Sequence, residues 1–261
     1  METKRNVKYF TASAISIPVI IGLAISLISL VFVIINVQRL FAILGIIAGL
    51  FVLIFATGGR SNDTDIEYQA RELTKDLQEL SSKKFEVYEK NHLKMLKPID
   101  LAGYDFEAKE SEFYFKKGSD GTPRTNYFAS YNLTFTGEKM YIYGKRISLT
   151  DETINEEIAG AYKYTALGKA EIETKTFKPE NGDELTYYVF KIYDVKDELI
   201  LSTCIDYGAD SDKAVDDINR AIAVRCVELQ KRAEEKAIKL REFREKVMAG
   251  EADLPADEGF I

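Results

Sequence analysis

The chain of 261 residues holds few side chains equipped to make or break bonds. It has one histidine, His92, with no second histidine to share a metal and no cysteine nearby. Catalysis or ligation by an imidazole takes positioned partners. Cys204 and Cys226 lie outside any metal or redox spacing and read as small apolar side chains, buried or half-buried. So low a cysteine content fits a reducing compartment. The stretch "LGKAE" (167–171) lacks the upstream glycine and the Ser or Thr of a phosphate loop. The carboxylate pairs Asp216/Asp217 and Glu156/Glu157 are consecutive, so on a helix they point apart and read as solvation. No nucleophile has a neighbour to activate it. These residues predict no catalytic, cofactor-binding or metal-binding site, and they disfavour an enzyme.

The elements that would position any site are sharply divided in charge. Residues 9–38 and 40–57 contain no charged side chain, with Arg39 between them. One helix through both would run about 73 Å at ~1.5 Å per residue. That is more than twice the roughly 30 Å of bilayer hydrocarbon, and it would put Arg39 near the middle, an expensive place for a charge. Two spans, about 12–35 and 40–57, joined by a turn at Asn36–Arg39, remove both conflicts; asparagine suits turn geometry. The apolar run is longer than the roughly 7–15 residues of a signal-peptide core, and no small-x-small site follows it, so the first span is expected to be retained. Lys4, Arg5 and Lys8 precede the first span, while Arg60 and Arg71 follow the second. The inside bias of Lys and Arg predicts both termini cytoplasmic, in a multi-pass protein of the inner (cytoplasmic) membrane. Residues 1–59 carry a net +3 and residues 60–261 a net −10. An acidic body is ill-suited to phosphate backbones, so no nucleic-acid partner is expected, and broad adhesion to anionic lipid is disfavoured too.

Four parts are predicted: the transmembrane hairpin 1–59, a juxtamembrane helical linker 60–100, a β-rich domain with its capping helix over 101–226, and a helical extension and tail over 227–261. In the linker, Ile66, Ala70, Leu73, Leu77 and Leu80 step by four and three, which predicts a helix over 64–96 that Pro98 ends. Its seam suits an oligomeric stalk or, preferably, packing on its own domain. From about 103 the period falls to two. Residues 105–117 read as a strand and 118–126 as a loop. Residues 127–136 read as a strand with Tyr127, Ala129, Tyr131, Leu133 and Phe135 on one face, and 139–149 returns from it. Residues 150–160 read as a polar link, 161–177 as two strands bent at Gly168, and 185–194 with 198–206 as a last hairpin. Aromatic and β-branched enrichment supports strands throughout. From 210, where Asp210 or Ser211 can cap, the helical period returns. Val215, Ile218, Ile222 and Cys226, then Leu229, Ala233, Leu240, Phe243 and Val247, form an apolar stripe. Glu228–Arg232, Glu235–Lys239 and Glu242–Lys246 lie at i,i+4 and recur at the coiled-coil interval.

About seven short strands followed by one amphipathic helix is the plan of a pleckstrin-homology-like barrel. Three segments resemble the bacterial families of that type. "YNLTFTGEKMYIYGKRISL" (131–149) looks like their opening hairpin, "AYKYTALGKAEIE" (161–173) like their strand–linker–strand segment, and "SDKAVDDINRAI" (211–222) like their capping helix. The likeness covers about 127–225. It implies an α+β membrane protein in which the helix plugs a seven-strand barrel. It also raises a lipid-headgroup site near the first hairpin, with Lys145 and Arg146 as candidate contacts. Basic residues there are spread from 116 to 146 and interleaved with Glu110, Glu112, Asp120 and Glu138, so a specific headgroup is not expected.

The expected function is a membrane-anchored cytoplasmic scaffold, without cofactor, that binds a protein partner or a second copy. Its candidate partner surface is Leu229, Ala233, Leu240, Phe243 and Val247. The alternative is an oligomeric accessory or transport-associated subunit acting through the hairpin, where Gly45 and Gly49 permit close helix approach. Within the chain, the stripe past Cys226 is expected to cover Leu73, Leu77 and Leu80 of the linker helix.

Overall fold

In the computed structural model, which describes residues 3–11, 17–35, 39–94, 96–110, 112–179, 182, 184–208 and 210–249, the basic N-terminal flank is itself a helix, α1 (Thr3–Thr11). Two apolar helices follow, α2 (Ile17–Ile34) and α3 (Arg39–Thr57). α2, with a mean hydropathy of 2.9, is long and apolar enough to cross a membrane, whereas the apolar stretch of α3, Leu40–Phe55, is shorter. Residues 12–16 and 36–38, which fall in the expected first span and its turn, lie outside the described residues. α2 and α3 run antiparallel on a seam of small side chains: Gly22 lies against Gly49, and Gly45 against Ser29. A Cβ on Gly22 would stand 3.0 Å from the Gly49 carbonyl oxygen. The glycines expected to serve association between copies are thus used inside the chain, and Leu23, Leu27, Phe51 and Ile54 point outward instead.

The predicted linker helix is two helices. α4 (Asp63–Leu73) starts in a capping box, in which Asn62 Oδ1 accepts from the Asp65 N–H at 2.8 Å and the Asn62 N–H donates to Asp65 at 3.0 Å. The chain then breaks over Thr74–Asp76. Asp76 adopts a left-handed φ of 61°, which short polar side chains accept more readily than most. α5 (Leu77–Phe85) sets off in a new direction, and a 3₁₀ turn follows at Glu89–Asn91. Leu77 is buried where α5 lies on the sheet, not in a seam shared with α4.

The strands form two antiparallel meanders and a short ribbon. β1 (Ile99–Tyr104), β4 (Tyr127–Phe135), β5 (Lys139–Ser148) and β6 (Asn155–Lys163) are consecutive in the first sheet. β7 (Leu167–Phe177), β8 (Leu185–Asp194) and β9 (Leu199–Ile205) form the second, and β2 (Phe115–Lys117) pairs with β3 (Pro123–Thr125). β1 and β9 approach closely, with the Asp206 N–H donating to the Ala102 carbonyl at 2.8 Å. A Cβ at Gly103 would stand 2.8 Å from the Cys204 carbonyl, so glycine is required at this crossing. Among the described residues the seven meander strands close no continuous barrel.

Three sequence boundaries are corrected. The strand expected over 105–117 exists only as Phe115–Lys117, because the Asp105 carboxylate turns back to accept the Glu107 N–H at 2.9 Å. The polar link 150–160 is largely β6, which pairs with β5 and exposes most of its side chains to solvent. The bend expected at Gly168 is made by a 3₁₀ turn at Tyr164–Ala166, and the register then slips between Leu167 and Ala170.

The main core lies between the two sheets. Leu133, Phe135, Met140, Ile142, Phe190 and Ile192 form it, and Ile218 and Ile222 of α6 (Ser211–Met248) close it. A second core forms where α1 and α4 cover the outer face of the first sheet, through Tyr9, Phe10, Ile66, Tyr104, Phe128 and Leu149.

Candidate functional site

Three regions bear on function: the contact of α1 with the body, the charged pair on β5, and the far half of α6. α1 is held by buried polar bonds as well as by Tyr9 and Phe10. Asn6, fully buried, donates to the Leu149 carbonyl at 2.7 Å and to Gln69 at 2.8 Å, and accepts from Ser61 at 2.5 Å. The Tyr9 hydroxyl donates to Asp63 at 2.6 Å, and Lys116 donates to the Tyr9 carbonyl at 2.7 Å. The Lys116 ammonium also lies 4.0 Å from the Tyr9 ring centroid. Asp63 further accepts from the Ser119 N–H at 2.7 Å and from its hydroxyl at 2.5 Å. Burial, then the negative Asp63, raise the Tyr9 phenol well above its ordinary value. Partial burial works against the charge on Asp63, but bonds from Ser119 and Tyr9 outweigh it and hold the carboxyl below its ordinary range. The segment before α2 is thereby fixed to the body that follows α3.

Next to this contact, Arg124 is buried against Asp120, at 2.7 Å and 2.9 Å, beneath the Tyr104 ring. The Tyr104 hydroxyl donates to Glu67 at 2.9 Å. These groups are braces between α4, β1 and the β2–β3 ribbon.

Lys145 and Arg146, the candidate headgroup contacts, neighbour each other on β5 and face apart. Arg146 donates to Asp105 at 2.8 Å and to Glu110 at 2.6 Å, and its guanidinium lies 4.9 Å from the Tyr127 ring centroid. Its side chain is 14% exposed. The Glu110 bond, followed by Asp105, holds the guanidinium charged. Lys145 stands opposite Glu157 in the β5–β6 register. The Arg146 guanidinium is committed to two carboxylates, while Lys145 faces Glu157, whose carboxylate the Lys84 ammonium already bonds.

Among the described residues, no three His, Cys, Asp or Glu side chains stand together as metal ligands. His92 is half-buried and bridges Thr136 through the backbone. Burial pushes the Cys204 thiol up to about 12, the opposite of an activated thiolate. A cleft of about 690 Å³ opens between the α4–α5 break and β1, where Arg71 and Lys75 mix with Asp76 and Asp100 on an open face.

α6 divides at about Leu229. Before it, Asn219 exchanges two bonds with the Ala170 backbone, at 2.8 Å and 2.9 Å, and Arg225 donates to the Gly137 carbonyl at 2.9 Å. After it, Ala233 through Lys246 are exposed, Leu240 by 50% and Phe243 by 39%, and Val247 is half-exposed. The expected cover of this stripe by the linker helix does not form; Leu77 turns into the sheet, and the Leu73 side chain lies outside the described residues. The five candidate partner residues therefore separate. Leu229 packs half-buried at the edge of the core, and the other four lie along the free helix.

Sequence reasoning missed α1 as a clasp. Its Lys4, Arg5 and Lys8 read only as the basic flank of the span, and Tyr9 and Phe10 merge with the apolar run. No protein-family model matches the chain, and neither curated proteins nor solved structures contain a match.

Proposed function

We propose that this protein is a membrane-anchored interaction module. α2 and α3 cross the bilayer as a hairpin. α1 and the body sit together on the cytoplasmic face of the inner membrane, with both termini inside. The two meanders and α6 serve as a domain of pleckstrin-homology-like plan that presents a helix to a protein partner. The hairpin reading draws support from the clasp. α1 precedes α2, the body follows α3, and buried bonds between them need both on one side, which an even number of crossings supplies. The apolar stretch of α3, Leu40–Phe55, is short for a bilayer core and would cross with little tilt. Lys4, Arg5, Lys8 and Arg60 around the helix ends favour the inside for that side.

The observation that carries the interaction reading is the stripe of Ala233, Leu240, Phe243 and Val247 left to solvent by a helix that is otherwise folded into a core. Apolar side chains left bare in a row on a folded helix, interrupted only at Lys236, favour a docking role. The test is blue-native electrophoresis of mildly solubilised membranes with three chains: the full chain, one lacking 231–261, and one whose residues 12–57 are replaced by an unrelated two-span hairpin. The full chain should run in a larger complex that survives the hairpin exchange and is lost with 231–261. A complex that survives the truncation and is lost on the hairpin exchange would overturn the reading in favour of a subunit acting in the bilayer.

A further inference from the structure

Resting on that reading, we propose that the far half of α6 docks an acidic amphipathic helix of another protein. The seam Leu229, Ala233, Lys236, Leu240, Phe243, Val247 advances by alternate steps of four and three, the spacing of a two-helix seam. At ~100° per residue, Arg232, Lys239 and Lys246 line one border of this seam, and Gln230, Ala237 and Arg244 line the other. Glu234, Glu235, Glu242 and Glu245 fall on the opposite face. The borders, which choose a coiled coil's partner, are therefore cationic or neutral, and the carboxylates are turned away from the contact.

This arrangement decides between occupants. A second copy would bring like charges together in either orientation. A parallel pair sets Lys239 against Arg244 and Lys236 against Lys236, and an antiparallel pair sets Arg232, Lys239 and Lys246 against their counterparts. A partner helix with glutamates flanking a leucine seam meets every one of these cations and gives Lys236 a carboxylate. The bilayer is disfavoured by position. α1 is bonded at Leu149, beyond one end of β5, and Arg225 holds the Gly137 turn at the other end. β5 has ten residues, so the free helix leaves the body about 33 Å, measured along that strand at ~3.3 Å per residue, from the end where α1 is bonded.

The test uses the full chain in neutral-lipid nanodiscs and two synthetic four-heptad peptides with leucine seams, one with glutamate and one with lysine at the flanking positions. Fluorescence anisotropy should show binding of the acidic peptide, weakened by salt, and at least about tenfold weaker binding of the basic one. The triple variant Arg232→Glu, Lys239→Glu, Lys246→Glu should reverse that preference. These three positions are exposed, so an unchanged melt serves as the folding control. Equal affinity for both peptides, or none, overturns the proposal. So does a doubling of particle mass without peptide, which makes a second copy the occupant. Protection of 231–247 from hydrogen exchange in anionic but not neutral nanodiscs assigns the face to lipid and overturns it. Binding that appears only after removal of 250–261 makes the chain's own acidic tail the occupant and overturns it too. If the acidic peptide fails while the complex in membranes is still lost on removing 231–261, the partner chemistry is wrong and the interaction reading stands.

Discussion

Asp63 is the residue at which three separate segments meet. It accepts from Tyr9 of α1 and twice from Ser119 beside the β2–β3 ribbon, and it opens α4, where a negative charge also suits the helix N-terminus. Its folded pKa lies below the ordinary 3.8. The stabilisation it gives is thus complete above the unfolded value and is lost as pH falls through the folded one. Asp63→Asn should cost about 1.5 kcal/mol at pH 7, the low end for bonds to a charged group, because the site is only half-buried. The difference between variant and parent should shrink as pH drops below 3.8. Urea unfolding of the solubilised chain at pH 7 and at pH 3, followed by circular dichroism, checks both; an equal difference at the two pH values would refute the assignment. Arg146 makes the complementary point about residues. In one dimension it sits in a stretch dotted with cations and reads as a headgroup contact. In space Asp105 and Glu110 come from a loop some forty positions earlier and claim its guanidinium. Nothing local in the sequence encodes that pairing, so the residue type was legible and its partner was not.

Among the elements, β4 was read most cleanly, and its other face shows the limit of such a reading. Alternation puts Tyr127, Ala129, Tyr131, Leu133 and Phe135 on one face; the last four line the main core, and Tyr127 is buried outside it. It also suggests that Phe128, Ser130, Asn132 and Thr134 meet solvent, yet every residue of β4 is buried. α4 and α5 cover that face, and the polar groups find partners there; Asn132 donates to Asp100 at 2.7 Å, and Thr134 donates to Asn132 at 2.7 Å. β1 escaped notice because Ala102 and Gly103 have weak strand propensity, and Gly103 is set by contact with β9 instead. β6 escaped because an edge strand exposed on both faces carries charges where a buried strand would alternate. α6 was legible over its whole length, since its period holds except at Lys236, but the period cannot say where the core ends. Ile222 lies on the inner side of that limit. Ile222→Asp buries an unpaired charge and should cost several kcal/mol, whereas Leu240→Asp, on the exposed part of the same stripe, should leave the melt unchanged. Parallel thermal melts of the two variants distinguish one continuous packed stripe, which would make them equal, from the divided helix described here.

At the scale of the molecule, the unequal charge and hydropathy of the two parts were plain in the sequence, but their mutual attachment was not. The clasp depends on Asn6, Tyr9, Ser61 and Asp63 meeting across two apolar helices, a tertiary fact without a local pattern. The same logic works in reverse at the other end. The sequence pairs two orphan stripes, one in 64–96 and one past Cys226, and economy suggests that they cover each other. The break at Asp76 sends Leu77 into the sheet and leaves the second stripe bare. A consequence is that the free half of α6 contributes little to the stability of the body. Among the described residues, removing 231–261 deletes exposed positions and the half-exposed Val247, and it keeps the Arg225 bonds to Gly137 as well as the half-buried Leu229. The truncated chain should therefore unfold in urea within about 0.5 kcal/mol of the parent, the range for changes away from packed surface. Its helical signal should fall only by the share of the helix removed. Should truncation instead cost several kcal/mol and melt α4 or α5 as judged by hydrogen exchange, the stripe would be packed within the chain, and the surface offered to a partner would not exist.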